Sequence, residues 1–274
     1  MKKYKQKKYF SQIFIKDKQT IKKIIKAINI NKKDHIIEIG PGLCALTNQI
    51  VNKTEKIVTL IEIDKDIIKN IKNNTKLTNK VNIIHNDILK TNLSKLSNER
   101  NKMRIVGNLP YHISSAILMH LTTFLPLLKN VYIILQKELV ERIVAQPGSK
   151  KFNHLSIIMQ YHFKCEVFFD IYSNFFKPRP KVDSTLLSLT PHSKYKYKYK
   201  VKNYNFFLRL IKKIFNTKRK TMRNSLKRII KSTIEIEKLP LNLENRAEDL
   251  SIDEFIILSN NIQKLESTKK ILLL

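Results

Sequence analysis

Residues 35–64 constrain the fold more than any other stretch of the chain. His35-Ile36-Ile37-Glu38-Ile39-Gly40 is an apolar run that stops at a glycine, and Gly40-Pro41-Gly42-Leu43-Cys44-Ala45 satisfies the pattern G-x-G-x-x-(G/A). A helix is expected over about Leu43 to Asn52, followed by a second apolar run, Ile57 to Ile63, with Glu62 and Asp64 at its end. Strand, tight glycine turn, helix and strand in that order make one βαβ unit of a parallel sheet. Glu62 lies 20 residues beyond Gly42, the separation at which an acidic side chain meets the hydroxyls of an adenosine ribose. An adenosine-containing cofactor lying across these strand ends is therefore expected.

The alternation continues on both sides. Ile21, Ile24, Ile25 and Ile28 recur at helical spacing within Lys18–Asn29. A helix around Lys65 to Asn74 leads to a strand, Val81 to Ile84, and the tip His85-Asn86-Asp87, where Asp87 is placed to accept from an adenine amino group or to anchor a loop. His85 has no His or Cys at ligand spacing, so no metal is expected. Strand Met103–Gly107, helix Ser114–Phe124, strand Val131–Leu135 and helices over Gln136–Val144 and Asn153–Phe163 follow, and strands Glu166–Ile171 and Ser184–Leu189 close the series. Such a pattern reads as a doubly wound sheet with ligands outside the carboxyl ends of its strands, where Glu62, Asp87 and Asn108 should converge.

The strand Met103–Gly107 delivers Asn108-Leu109-Pro110-Tyr111. Pro110 cannot donate to a ladder, so pairing ends there. What remains suits a planar ligand with an exocyclic amine. The Asn108 side-chain oxygen and the carbonyl of Leu109 or Pro110 can accept its two N–H bonds while Tyr111 stacks on its face. Of only four glycines, Gly40, Gly42 and Gly107 stand at the ends of apolar runs, where special dihedrals or close backbone approach require them. Phe175-Phe176-Lys177-Pro178-Arg179-Pro180-Lys181-Val182-Asp183 is a proline-stiffened segment in which Phe176 is the candidate for a second stacking face.

With 53 Lys+Arg against 22 Asp+Glu the chain carries +31, a field that favours polyanions. No stretch approaches ~18 consecutive apolar residues, so nucleic acid fits better than membrane. The chain is also rich in Lys, Asn and Ile, as a compositional bias would make it, so part of the charge is expected to be solvated surface. Cys44 and Cys165 are too few for a disulfide framework or zinc cluster and indicate a reducing compartment. Cys44, at a helix start, is either a packed thiol or one of lowered pKa. After the basic residues 1–9, SQIFI is interrupted by Lys16 and Asp17 before a signal-peptide core can form, so a cytoplasmic location is expected. Tyr195–Lys200, YKYKYK, reads as a linker, and the helical spacing in Tyr204–Phe215, Thr221–Ser232 and Ile252–Leu265 as a small helical domain. Lys218, Arg219, Lys220 and Arg223 cluster about Thr221 and are expected to meet phosphates. The expected domains are 1–192, a basic linker 193–203, and 204–274.

The ordered set FSQIFI, EIGPGLCALT, LIEID, HND, GNLPYH, FFKPRPKVDS and FNTKRKTMRNSL resembles the S-adenosylmethionine-dependent adenine N6,N6-dimethyltransferases of small-subunit ribosomal RNA, the KsgA family, over nearly the whole chain. The last motif separates this family from methyltransferases acting on large-subunit RNA. The resemblance implies a Rossmann-like methyltransferase sheet with an all-helical C-terminal domain, S-adenosylmethionine as cofactor, and a monomer acting on two adjacent adenosines near the 3' end of 16S rRNA in the immature small subunit, without membrane contact. It implies that Gly40 lies near the methionine part, Glu62 on the ribose hydroxyls, Asp87 on the adenine amine and Asn108 between cofactor and target, with Ile15 contacting the cofactor through its backbone. Ile13 stands where the family has asparagine, His112 where it usually has asparagine, and Ser11 where it has glycine, so weakened cofactor affinity is expected. A nicotinamide dehydrogenase would share the glycine turn without needing Asn-Leu-Pro-Tyr. A protein-glutamine methyltransferase would not need +31. The reading of a different class is a non-catalytic small-subunit assembly factor that binds rRNA.

Overall fold

The computed structural model describes residues 12–98, 100–192, 197, 199–217, 219–230 and 233–267, without the side chains of 233, 234 and 265–267. The basic arm at residues 1–9, Ser11 and Lys218 lie outside the described residues. Two compact units divide the chain. The first runs to Val140 and resumes at Lys164–Pro191, and the second comprises Glu141–Phe163 and the residues from His192 onward. Segment 141–163, which the sequence places in the first domain, groups with the second unit.

The strands are β1 (Phe14–Ile15), β2 (His35–Ile39), β3 (Val58–Glu62), β4 (Val81–His85), β5 (Met103–Asn108), β6 (Leu128–Gln136), β7 (Phe163–Ile171), β8 (Phe176–Lys177) and β9 (Ser184–Pro191). Seven form one sheet in the order β4-β3-β2-β5-β6-β9-β7, and β1 pairs with β8 separately. Pairing is parallel from β4 to β6 and turns antiparallel at β9. Strands β2, β3 and β5 are buried nearly end to end, as parallel strands covered on both faces must be, and isoleucine and valine fill them.

The helices are α1 (Lys18–Ile28), α2 (Thr47–Ile50), α3 (Lys65–Lys72), α4 (Ser114–Leu121), α5 (Lys137–Val144), α6 (His154–His162), α7 (Tyr204–Phe215), α8 (Met222–Leu226), α9 (Thr233–Glu237) and α10 (Ile252–Ser267). On α1 the expected isoleucines face inward, the Asp17 carboxylate caps Thr20 N–H at 2.6 Å, and Asn29 ends the helix in the left-handed region at φ 50°. The helix expected over Leu43–Asn52 shrinks to the four residues of α2. Gly42 at φ 53° and Cys44 at φ 63° are left-handed, and a right-handed helix cannot pass through them. Of the helix expected over Thr221–Ser232, the described residues form α8, Met222–Leu226.

In the second unit, α6 starts at a reciprocal cap between Asn153 and Ser156, and the Gln160 amide donates to the carbonyls of Ile143 and Ala145 at 2.9 and 2.7 Å. Phe215 stacks on Phe255 at 5.7 Å. Tyr197, from the stretch expected to be a linker, stacks on Tyr161 at 5.7 Å and donates to the Gln160 carbonyl at 2.8 Å, so this part of YKYKYK is packed.

Near the start of β5 the Arg104 guanidinium is 4% exposed. It bonds Asp34, the carbonyls of Ile28 and Asn29 at the end of α1, and Asn130 of β6, and lies over the Tyr132 ring. Asp34 also accepts from Lys129 at 2.8 Å. Burial pulls the Asp34 carboxyl upward, but the bonds from Lys129, the Asn31 amide and Arg104 outweigh it and hold it below the usual carboxylate range. Replacing Asp34 by alanine strands a buried cation and should cost about 3–5 kcal/mol at neutral pH. The lowered carboxyl stabilises the fold above about pH 4 and loses that contribution as pH falls through its folded value. The gap between wild type and Asp34→Ala in urea unfolding should therefore narrow in acid.

Candidate active site

The carboxyl ends of β2, β3, β4 and β5 open on a cavity of about 410 Å³, within the range of small-ligand sites. Each expected strand-end residue reaches it: Gly40, Glu62, Asp87 and Asn108 line it, with Ile13 and Ile15 from the chain around β1. Gly40 and Gly42 turn the backbone at φ 65° and 53°. A Cβ on Gly42 would stand 2.6 Å from the Phe14 ring, and one on Gly107 would stand 2.7 Å from the Ile39 carbonyl oxygen. The glycines thus admit the neighbouring ring and strand.

Glu62, at the end of β3, is 7% exposed, and one of its oxygens accepts from the amides of Ile63 and Asp64 at 2.8 Å each. Burial raises its carboxyl in spite of these bonds. Asp87 accepts from Leu89 N–H at 2.9 Å, which anchors its loop, and it lines the cavity. Asn108 donates its side-chain N–H to the Ile13 carbonyl at 2.7 Å. A carbonyl can only accept, so this bond fixes which end of the amide is nitrogen. The other end, Oδ1, is buried at the cavity wall and accepts no hydrogen bond among the described residues. Ile13 holds Asn108 through its backbone, a contact available to any residue, including the asparagine it replaces.

The tip after Asn108 is fixed as well. The Pro110 carbonyl already accepts from Ser114 Oγ at 2.8 Å and Ile113 N–H at 3.2 Å, which singles out the Leu109 carbonyl of the two expected acceptors. The Tyr111 hydroxyl is 2.7 Å from Ser184 Oγ. Phe176 does not reach the cavity. It is 1% exposed, lies opposite Ile15 in the β1–β8 pair and belongs to the hydrophobic core. Strand pairing has turned it inward, and the stacking face expected of it is not presented here.

Sequence reasoning passed over two residues. Glu38 in β2 is 2% exposed, lines the cavity and accepts from the Thr47 hydroxyl at 2.7 Å. Its signal was a carboxylate inside an otherwise apolar buried strand, which is costly without a function. Gln12, also lining the cavity, donates to Asp64 at 2.8 Å. Cys44 is a packed thiol, pushed up to about 12 by burial and by the neighbouring Glu38. Of the expected phosphate-binding cations, Arg219 and Lys220 are exposed, whereas Arg223 is held by Glu237 and by Glu244 at 2.9 Å.

In a chain of net charge +31, the cavity is lined by Glu38, Glu62 and Asp87 and, among the described residues, by no lysine or arginine. That lining suits a cation-bearing ligand with N–H and O–H donors. It does not suit the pyrophosphate of a nicotinamide dinucleotide. The carboxylates of Glu62 and Asp87 at the cavity wall are acceptors that fit the positive charge and the N–H and O–H donors of S-adenosylmethionine, and Asn108 Oδ1 is a further acceptor left without a donor among the described residues. Burial, against the Thr47 bond and helped by Glu62, pushes Glu38 up to about 7 from 4.5. Between these values the folded chain keeps a proton that the unfolded chain releases. Stability is therefore lost as pH rises through this window, by up to about 3 kcal/mol. Glu38→Gln should remove that part of the pH dependence, as urea unfolding at pH 5 and pH 7.5 will show.

Comparison with known proteins agrees with this geometry. The family model described as ribosomal RNA adenine dimethylase matches residues 3–264. The ribosomal RNA small subunit methyltransferase A of Francisella tularensis subsp. novicida is 41% identical over 260 residues, covering 94% of this chain and 98% of its own length, and that of subsp. tularensis matches equally. A dimethyladenosine transferase from Plasmodium falciparum shares the fold with TM-score 0.75 at 24% identity, over 94% of this chain and 99% of its own. The 23S rRNA methyltransferase ErmE does so at 0.66 and 19%, over 91% and 99%. With a Rossmann-like sheet, an acid-lined cavity at its strand ends and a family match along almost its entire length, the chain belongs to the ribosomal RNA adenine dimethylase family.

Proposed function

We propose that this chain transfers methyl groups from S-adenosylmethionine to the N6 amines of two adjacent adenosines near the 3' end of 16S rRNA, giving N6,N6-dimethyladenosines in the immature small subunit. The observation that carries this reading is the buried, unpartnered Oδ1 of Asn108, beside the Leu109 carbonyl and the Tyr111 ring. The exocyclic amine of adenine is a poor nucleophile because its lone pair is delocalised into the ring. Asn108 Oδ1 and the Leu109 carbonyl accept its two N–H bonds and favour a pyramidal nitrogen, while Tyr111 stacks on the base. S-adenosylmethionine supplies, when bound, an electrophilic methyl group.

Positioning and electrostatics carry the reaction, and no strong general base is needed. The proton becomes acidic only once the nitrogen is alkylated, and the acceptors on Asn108 and Leu109 hold it until it passes to solvent. The base must be unpaired or flipped to reach the tip. Arg219 and Lys220 serve as phosphate contacts. Among the described residues no helix is long and apolar enough to cross a membrane.

Labelled methyl transfer to small subunits lacking the modification, followed by nucleoside analysis, should yield dimethyladenosine. Asn108→Ala should abolish the transfer and leave RNA binding nearly unchanged. Equal loss of both would remove the role given to Asn108, and tight subunit binding by wild type without transfer would favour an assembly factor.

A further inference from the structure

The segment Phe175–Ser184 is prominent in the sequence, yet its aromatic residue Phe176 is buried in the core. Its other end reaches the site. Ser184 Oγ lies 2.7 Å from the Tyr111 hydroxyl, and Ser184 is fully buried, paired opposite Gln136 in the β6–β9 ladder. Asp183 locks the approach from both sides: its carbonyl accepts from Lys137 N–H at 3.0 Å and its carboxylate from Ser173 N–H at 2.8 Å. At the other end of the tyrosine, the preceding carbonyl of Pro110 is held by Ser114 and Ile113. The Tyr111 ring is thus fixed at its backbone and at its tip. Burial, with Asp183 adding to it, raises the phenol's pKa despite the Ser184 bond, so the hydroxyl stays protonated at neutral pH.

We propose that Ser184, braced by Asp183, is a positioning residue that sets the plane of the Tyr111 ring against the target base, and that this is what the proline-rich segment contributes to catalysis. The inference rests on the reading of Tyr111 as the base-stacking face. A ring tied at one end only can swing about two side-chain torsions, and a base stacked on it then spends less time with its amine at Asn108 and Leu109. Loss of the tether should therefore lower turnover and spare cofactor binding, since Ser184 does not line the cavity.

The test uses the full chain, S-adenosylmethionine and small subunits lacking the modification. Ser184→Ala should lower kcat roughly tenfold, about the worth of one hydrogen bond to a positioned group, with the dissociation constants for S-adenosylmethionine and for the subunit unchanged. Tyr111→Phe, which removes the hydroxyl from the other side, should match it, and the double variant should be no slower than either. In protein carbon-13-labelled at tyrosine, the Tyr111 Cζ resonance should shift in Ser184→Ala. An unmoved resonance, or losses that multiply in the double variant, would overturn the proposal. Transfer by wild type with Ser184→Ala equally active would overturn this role alone, whereas no transfer by wild type would overturn the methyltransferase reading beneath it.

Discussion

A strand buried on both faces of a parallel sheet has only its ends for polar chemistry, and β5 is built around that restriction. Its interior is Ile105 and Val106, both 1% exposed or less. Arg104 stands near the entry end and Asn108 at the exit. The two ends are satisfied to different degrees. Around Arg104, a carboxylate, two carbonyls and an amide oxygen take up the guanidinium. At Asn108 one bond is made and one acceptor is left over. The first arrangement is complete, whereas the second leaves a buried acceptor whose desolvation nothing among the described residues offsets, which is the opening the proposed reaction uses.

The two ends are also linked through α1. Arg104 holds the carbonyls at its C-terminus, while the residues just before its N-terminus supply the carbonyl that orients Asn108. An 11-residue helix is about 16 Å long, and a six-residue strand about 20 Å. One helix therefore spans nearly the full length of β5. The segment from Ile13 to Asn29 thus touches both ends of β5, at Asn108 through the Ile13 carbonyl and at Arg104 through the carbonyls of Ile28 and Asn29.

Much of this was legible in the sequence because parallel strands leave a coarse signature. Apolar runs ending at Gly40, Glu62, Asp87 and Asn108 could be recognised and their convergence argued from topology. What was not legible depended on local dihedrals and on facing. The expected helix at Leu43 failed because Cys44, an ordinary residue in the sequence, adopts φ 63°. The phosphate-binding part for Arg223 did not foresee Glu237 and Glu244, which lie 14 and 21 residues away and meet it only in the fold. Glu38 is a single carboxylate inside an otherwise apolar buried strand, so the strand's periodicity carries no mark of it.

Phe176 and Ser184 show how such an error arises. A proline-rich segment with an aromatic and several cations suggests exposure, and exposure suggests contact with substrate. Pairing of Phe176 with Ile15 across a two-residue ladder is enough to reverse that orientation, because side chains alternate along a strand and a shift of one residue exchanges the faces. The same segment still reaches the site, through a serine whose hydroxyl has no sequence signal of its own. What stands at the Asn108 tip is set by bonds to residues far away in the chain: the one Asn108 donates to the Ile13 carbonyl, which turns Oδ1 to the cavity wall without a donor among the described residues, and the one between Tyr111 and Ser184, which holds the end of the ring.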